Sequence, residues 1–151
     1  RFTAPERTDL KTAFSLRVRA VDTAGNATET AEFTVELLPD MTPPRVLAVA
    51  PGNDTVPETV TTVLARFNEP LDFGTVTPGR VALLSAGPDL IFGNDDDAPV
   101  DGSVGYSAAS FAAFIETAEP LPAGRYRFTV AEVRDLAGNP LAAALASHFY
   151  V

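Results

Sequence analysis

The chain has 151 residues, 46% of them hydrophobic and 21% charged, enough for one packed domain with something smaller beside it, since single cores take about 100–150 residues. Eleven Lys and Arg against 20 Asp and Glu leave a net charge of −9, which repels phosphate backbones and anionic lipid and sets nucleic acid and membrane surfaces aside as partners. With no Cys and one His, His148, the chain lacks disulfides, thiolate nucleophiles, zinc–cysteine sites and histidine metal clusters.

No apolar run approaches the roughly 18 residues of a membrane span, so no membrane insertion is expected. The sequence opens on Arg1 instead of Met, and a longer parent is expected. Thirteen prolines spread over the length leave little room for helices and punctuate short strands. Alternation places strands at 13–21, 30–38, 45–50, 60–68, 80–86, 101–107, 111–117, 124–134 and 145–151. In the first, Leu16, Val18 and Ala20 oppose Arg17, Arg19 and Val21; in the second, Phe33, Val35 and Leu37 oppose Glu32, Thr34 and Glu36. Val63, Ala65 and Phe67, then Tyr126, Phe128 and Val130, repeat the pattern. Neighbouring side chains on a strand point to opposite faces, so each reads as a half-buried antiparallel strand. A short helical turn is predicted near Asp72–Thr77 with Asp72 as its N-cap. The Ala-rich run Leu141–Ala146 follows Pro140 and reads as a turn into the last strand.

The segment Val18–Asn26, ending Asp22-Thr-Ala-Gly25-Asn26, is echoed by Ala131–Asn139, ending Asp135-Leu-Ala-Gly138-Asn139. Two copies of one segment imply two modules. Residues 1–40 supply two convincing strands, the equivalent of the last pair of a sandwich, 41–44 belong to a proline-stiffened linker, and 45–151 supply seven strands, enough for two sheets.

Five runs in order, Pro43-Pro44-Arg45-Val46, Ala50-Pro51-Gly52, Ala65–Asp72, Leu121–Tyr126 and Asp135–Leu141, resemble the bacterial Ig-like domains of S-layer and surface proteins over residues 43–151. Residues 14–37 resemble the C-terminal half of a related module. The resemblance implies an all-β, Ig-like Greek-key sandwich preceded by a strand pair from a second Ig-like unit. It also implies a spacer, stalk or assembly role at the cell surface without catalytic residues. The two Asp-x-Ala-Gly-Asn segments have a mechanical reading of their own: Asp bonds back into its turn, and Gly and Asn tolerate the left-handed backbone.

Composition is extreme only in Gly87–Gly102. Five carboxylates fall between Asp89 and Asp101, and no Lys or Arg occurs from Val81 to Gly124. Two carboxylates roughly 5 Å apart repel by about 1 kcal/mol even at the dielectric of water. A calcium ion with six to eight oxygen ligands relieves this repulsion, and Asp89, Asn94, Asp95, Asp96, Asp97 and Asp101 supply the inventory, although their spacing is not that of an EF-hand. The run resembles acidic Gly-Pro-Asp-Gly-Ile-Phe-Gly inserts of secreted bacterial proteins, with Leu90 where a Gly is usual. A solvated acidic loop without metal is the competing reading.

Asn26-Ala-Thr28 and Asn53-Asp-Thr55 fit the glycosylation pattern. His148 reads as a strand-face residue, Ser103 lacks a nucleophile-elbow spacing, and Glu116 and Glu119 read as solvated strand-end residues. The expected protein is therefore a non-enzymatic structural module, extracellular or at the cell surface, in a tandem stalk, S-layer or filament. Its expected partners are neighbouring Ig-like modules or identical subunits. An adhesion module for carbohydrate or another surface protein is the alternative; Tyr106, beside the acidic loop, is its stacking candidate. Because an isolated hairpin is marginal in water, Leu16, Val18, Phe33 and Val35 are expected to be buried as an interface.

Overall fold

The alternation becomes strands in a computed structural model that describes residues 12–151. The chain divides into two compact units, Arg1–Asp40 and Met41–Val151. In the first, the strand predicted over 13–21 is broken into β1 (Ala13–Leu16) and β2 (Arg19–Val21), and the one predicted over 30–38 is β4 (Phe33–Glu36), preceded by a short unpredicted strand β3 (Ala27–Glu29). β1 pairs antiparallel with β4 and β2 with β3. At the break Val18 N donates to the Thr30 hydroxyl at 3.1 Å while Thr30 N donates to Val18 O at 2.9 Å, so a side chain stands in for a ladder carbonyl. Register partners share a face, and Phe14↔Val35 with Leu16↔Phe33 gathers the apolar side chains on one side.

In the chain by itself that face, expected to be an interface, is open. Val18 is 53% and Phe33 47% exposed, and Leu16 and Val35 are half-buried. The described part of the unit is a single layer, and burial of a strand face needs a second one.

The second unit adds β5 (Val46–Ala50), β6 (Thr62–Phe67), a 3-10 turn (Phe73–Thr75), β7 (Val81–Ser85), β8 (Ala98–Pro99), β9 (Ser103–Ser107), β10 (Ala112–Glu116), β11 (Arg125–Val130) and β12 (Leu145–Tyr150). They form two four-stranded sheets, ordered β5-β6-β10-β9 and β12-β11-β7-β8, in which every pairing is antiparallel. Asp72 caps the 3-10 turn, accepting from Gly74 N at 2.9 Å. The inward faces read from the sequence close the core: Val63, Ala65 and Phe67 of β6 meet Tyr126, Phe128 and Val130 of β11, with Ile115, Leu83 and Phe149 between the sheets. The long strand predicted over 124–134 stops at Val130. Glu132 adopts φ 57°, a left-handed conformation that a strand cannot contain.

Three strand ends are finished by loops. Asp72 N donates to Arg134 O at 2.8 Å, joining the segment after β6 to the one after β11. Asn53 Oδ1 accepts from His148 N at 2.9 Å, Asp54 N donates to His148 O at 2.7 Å, and Tyr150 N donates to Thr55 O at 2.9 Å. These bonds cover the C-terminal part of the β12 edge. The Tyr126 hydroxyl, at the start of β11, donates to Pro122 O at 2.7 Å; burial raises its pKa above the ordinary tyrosine value.

Candidate functional site

The acidic loop connects β7 to β8, and its residues hold each other in place. Asp89 Oδ1 accepts from Ile91 N at 2.8 Å and Asp89 Oδ2 from the Asn94 amide at 2.6 Å, an Asx-type turn that spends both carboxylate oxygens. Leu90 sits at φ 60°, a left-handed conformation that Gly adopts without strain. Asp97 Oδ2 accepts from Gly93 N at 2.8 Å, while Asp97 Oδ1 is enclosed without a donor. Asp95, Asp96 and Asp101 are exposed, as are Asp89 and Asn94.

The cations absent from the neighbouring sequence arrive through the fold. Arg125 and Arg127, on the outer face of β11, flank the Phe92 ring at 5.3 and 4.6 Å from its centroid, and Arg125 Nη1 donates to Leu90 O at 3.2 Å. Among the described residues neither arginine pairs with a loop carboxylate. The His148 ring packs 5.4 Å from Phe92. Burial, then the positive charges of Arg125 and Arg127, hold its pKa below the ordinary 6.5, with Asp54 pulling the other way. Phe92 as the anchor of this loop was missed by sequence reasoning; the only signal is an aromatic inside an acidic run with two arginines on one face of a later strand.

The two repeated turns are built alike. Asp22 Oδ1 accepts from Asn26 N at 2.8 Å and Ala24 N at 2.9 Å, and Asp22 Oδ2 from the Asn26 amide at 2.8 Å. Asp135 Oδ1 and Oδ2 accept from Asn139 N and the Asn139 amide, each at 2.8 Å. Gly25 and Gly138 lie at φ 88° and 91°. The Asn26 side chain first, then its backbone N–H, lowers the Asp22 pKa. Asp135 is buried, and because Leu71 bridges to it a carboxylate oxygen of Glu69 comes within 4.8 Å of one of its own. That approach places two carboxylates side by side, one of them already bonded at both oxygens to Asn139.

The remaining candidates have structural employment. The Tyr106 hydroxyl accepts from Leu71 N at 2.8 Å, and the residue is half-buried against the core. The side-chain amide nitrogens of both glycosylation-pattern asparagines are occupied, Asn26 on Asp22 and Asn53 on Asp54.

An antiparallel sandwich of two four-stranded sheets, in which the strand order of each sheet interleaves early and late strands and a tyrosine at the start of the seventh strand bonds back across its corner, defines an Ig-type β-sandwich. The sequence profile described as bacterial Ig-like domain matches residues 40–151, and the chain belongs to that family. No curated protein matches it. Among solved structures it is similar to PcoC, a methionine-rich copper resistance protein from Escherichia coli, at 22% identity and a TM-score of 0.57, covering 73% of this chain and 99% of that one. It is also similar to domains 1–6 of the surface layer protein SbsC at 18% identity and a TM-score of 0.50, covering 74% of this chain and 14% of that one. A second structure of that S-layer protein matches at 19% identity, a TM-score of 0.50, and 73% and 14% coverage. At these identities the likeness is one of fold. Among the described residues no helix is long and apolar enough to cross a membrane.

Proposed function

We propose that the chain is a non-enzymatic structural module of an extracellular or cell-surface assembly, with neighbouring Ig-like modules or identical subunits as its partners. The observation that carries this reading is the repeated turn. β2 and β3 flank Asp22–Asn26 with the hydrogen bonds that Asp135–Asn139 makes in the sandwich, which supports residues 1–40 as the closing strand pair of a second module. The S-layer protein among the similar structures is built of several domains, in keeping with a tandem role. Antibody raised against residues 41–151 is expected to label intact cells that make the parent protein. Labelling only after cell lysis would overturn the surface assignment.

Calcium at the acidic loop belongs to the same proposal. Asp95, Asp96 and Asp97 are its ligands, with Asp89, Asn94 and Asp101 around them, and the donor-less Asp97 Oδ1 supports the placement. A ligand held only by the folded state raises the melting temperature by mass action. Millimolar calcium is expected to raise it in wild type and not in Asp96→Asn/Asp97→Asn; an unchanged melting curve with and without chelator would remove the metal.

A further inference from the structure

The two sheets of the sandwich part along one side, where β5 and the N-terminal half of β12 leave a groove of about 580 Å³ lined by Val46, Val49, Leu145 and Ser147. Ser147 is 3% exposed and its hydroxyl has no partner, so the groove wall holds a buried polar group for which the described residues supply nothing.

Sheet edges are normally blunted by charge, proline, shortness or a covering loop. β8 is two residues long and contains Pro99, the end of β12 is covered by Asn53–Thr55, and β9 carries serines and Gly105. β5 has a bulge between Val46 and Ala48, and its entry is met by the loop whose Ala142 N donates to Pro44 O at 3.0 Å, but from Leu47 to Ala50 it has neither charge nor proline. It reads Val-Leu-Ala-Val-Ala, bonds on one side only, to β6, and leaves Leu47 59% exposed. In a chain of net charge −9, two positive side chains stand at this edge, Arg45 at its start and Arg66, the register partner of Ala48, with Glu69 nearby on the Asn68 amide. Neither arginine has an acidic partner within ion-pair distance among the described residues.

We infer that the β5 edge receives β4 from a second copy of this chain. β4 has the required pattern. Phe33 and Val35 lie on the face left open in the hairpin and would meet Val46, Val49 and Leu145 of the groove, while Thr34 and Glu36 lie on the other face, where Glu36 brings negative charge to Arg45 and Arg66. Main-chain bonds along β5 give the affinity, and the alternation of Phe33 and Val35 gives the register. The inference rests on the structural-module reading and names its contact: copies join head to tail, each hairpin on the next sandwich, a heterologous contact that propagates into a filament.

The absence of cysteine makes the test clean. Leu47→Cys and Thr34→Cys are both exposed substitutions, and the two single variants are mixed in equal amounts under mild oxidation beside an Ala123→Cys control. The expected result is a mixed disulfide dimer several-fold more abundant than either homodimer, reduced several-fold when Arg66→Glu is added to the Leu47→Cys chain. A predominance of Leu47→Cys homodimers would replace the donated strand by β5–β5 pairing and overturn the inference. So would dimer yields no higher than with Ala123→Cys. Surface labelling of cells is untouched by either outcome, so the module reading fails separately.

Discussion

The two units contain the same turn and treat it differently. Asp22–Asn26 and Asp135–Asn139 share their hydrogen bonds and their left-handed glycine, yet Asp22 is exposed and Asp135 is 2% exposed. Identical local chemistry therefore sits in two solvents. A turn sequence specifies its own backbone, and the layers packed around it decide how much stability that backbone carries.

The largest expected difference lies in the aromatic residues of the two units. Phe128 is fully buried between the sheets, and Phe128→Ala is expected to cost about 3–5 kcal/mol in urea denaturation, by lost transfer energy and the cavity left behind. Phe33→Ala, at a residue that is 47% exposed, is expected to leave the denaturation midpoint of a dilute sample within error. A comparable loss at Phe33 would mean that the hairpin face is covered even in the monomer, and the contrast between the units would collapse.

The turns themselves sharpen the comparison. Asp135→Ala takes two acceptors from half-buried Asn139 and empties the buried carboxylate's place, and is expected to cost about 1–3 kcal/mol. Asp22→Ala returns the same donors to water. Its effect is expected to appear only as faster amide exchange at Ala24 and Asn26. Equal shifts of the melting midpoint in the two variants would show that burial does not separate the turns.

Much of the sandwich is legible because its signal is local. The period-two alternation of Val63, Ala65 and Phe67 and of Tyr126, Phe128 and Val130 names the inward faces, and Asp72 announces its capped turn. What escapes is set by contacts between distant segments. The stop at Val130 depends on the left-handed Glu132, which no propensity marks, and β8 exists only because Ala98 and Pro99 return to Ser85 and Leu84. The acidic loop is readable as an anomaly of composition. Its anchoring is not, since Phe92 meets Arg125 and Arg127 from a strand more than thirty residues later. The face of Leu16, Val18, Phe33 and Val35, open in the chain by itself, shows the same limit: alternation identifies a face that wants a partner and does not name the partner.

Between the same loop in its bonded and loosened forms the expected difference is smaller. A Cβ at Gly87, where φ is 66°, would collide with the Asp96 carboxylate and carbonyl, so Gly87→Ala is expected to lower stability by about 1–2 kcal/mol through left-handed strain and displacement of Asp96. Gly93→Ala, also at positive φ but with open space around it, pays the strain alone and is expected to cost less. Reversal of that order in urea titrations would mean that Asp96 moves aside freely.

The smallest effect is a pH dependence peculiar to the sandwich unit, because the chain's single histidine lies there. Burial against Phe92 and the charges of Arg125 and Arg127 lower the His148 pKa below 6.5, against the opposing pull of Asp54. A group with a depressed native pKa binds more protons in the unfolded chain between the two values, so its contribution is complete above the unfolded pKa and declines as pH falls through that window. Stability is therefore expected to drop modestly as pH is lowered from 7.5 to 5.5, a range in which ordinary carboxylates stay ionised, and His148→Gln is expected to flatten this part of the curve. The imidazole gives one NMR resonance set, so its titration is directly readable, and Phe92→Ala should move the midpoint back toward 6.5 as water reaches the ring. A native midpoint at or above 6.5 would make Asp54 the dominant neighbour and reverse the sign, leaving a histidine whose protonation steadies the β12 edge in mild acid.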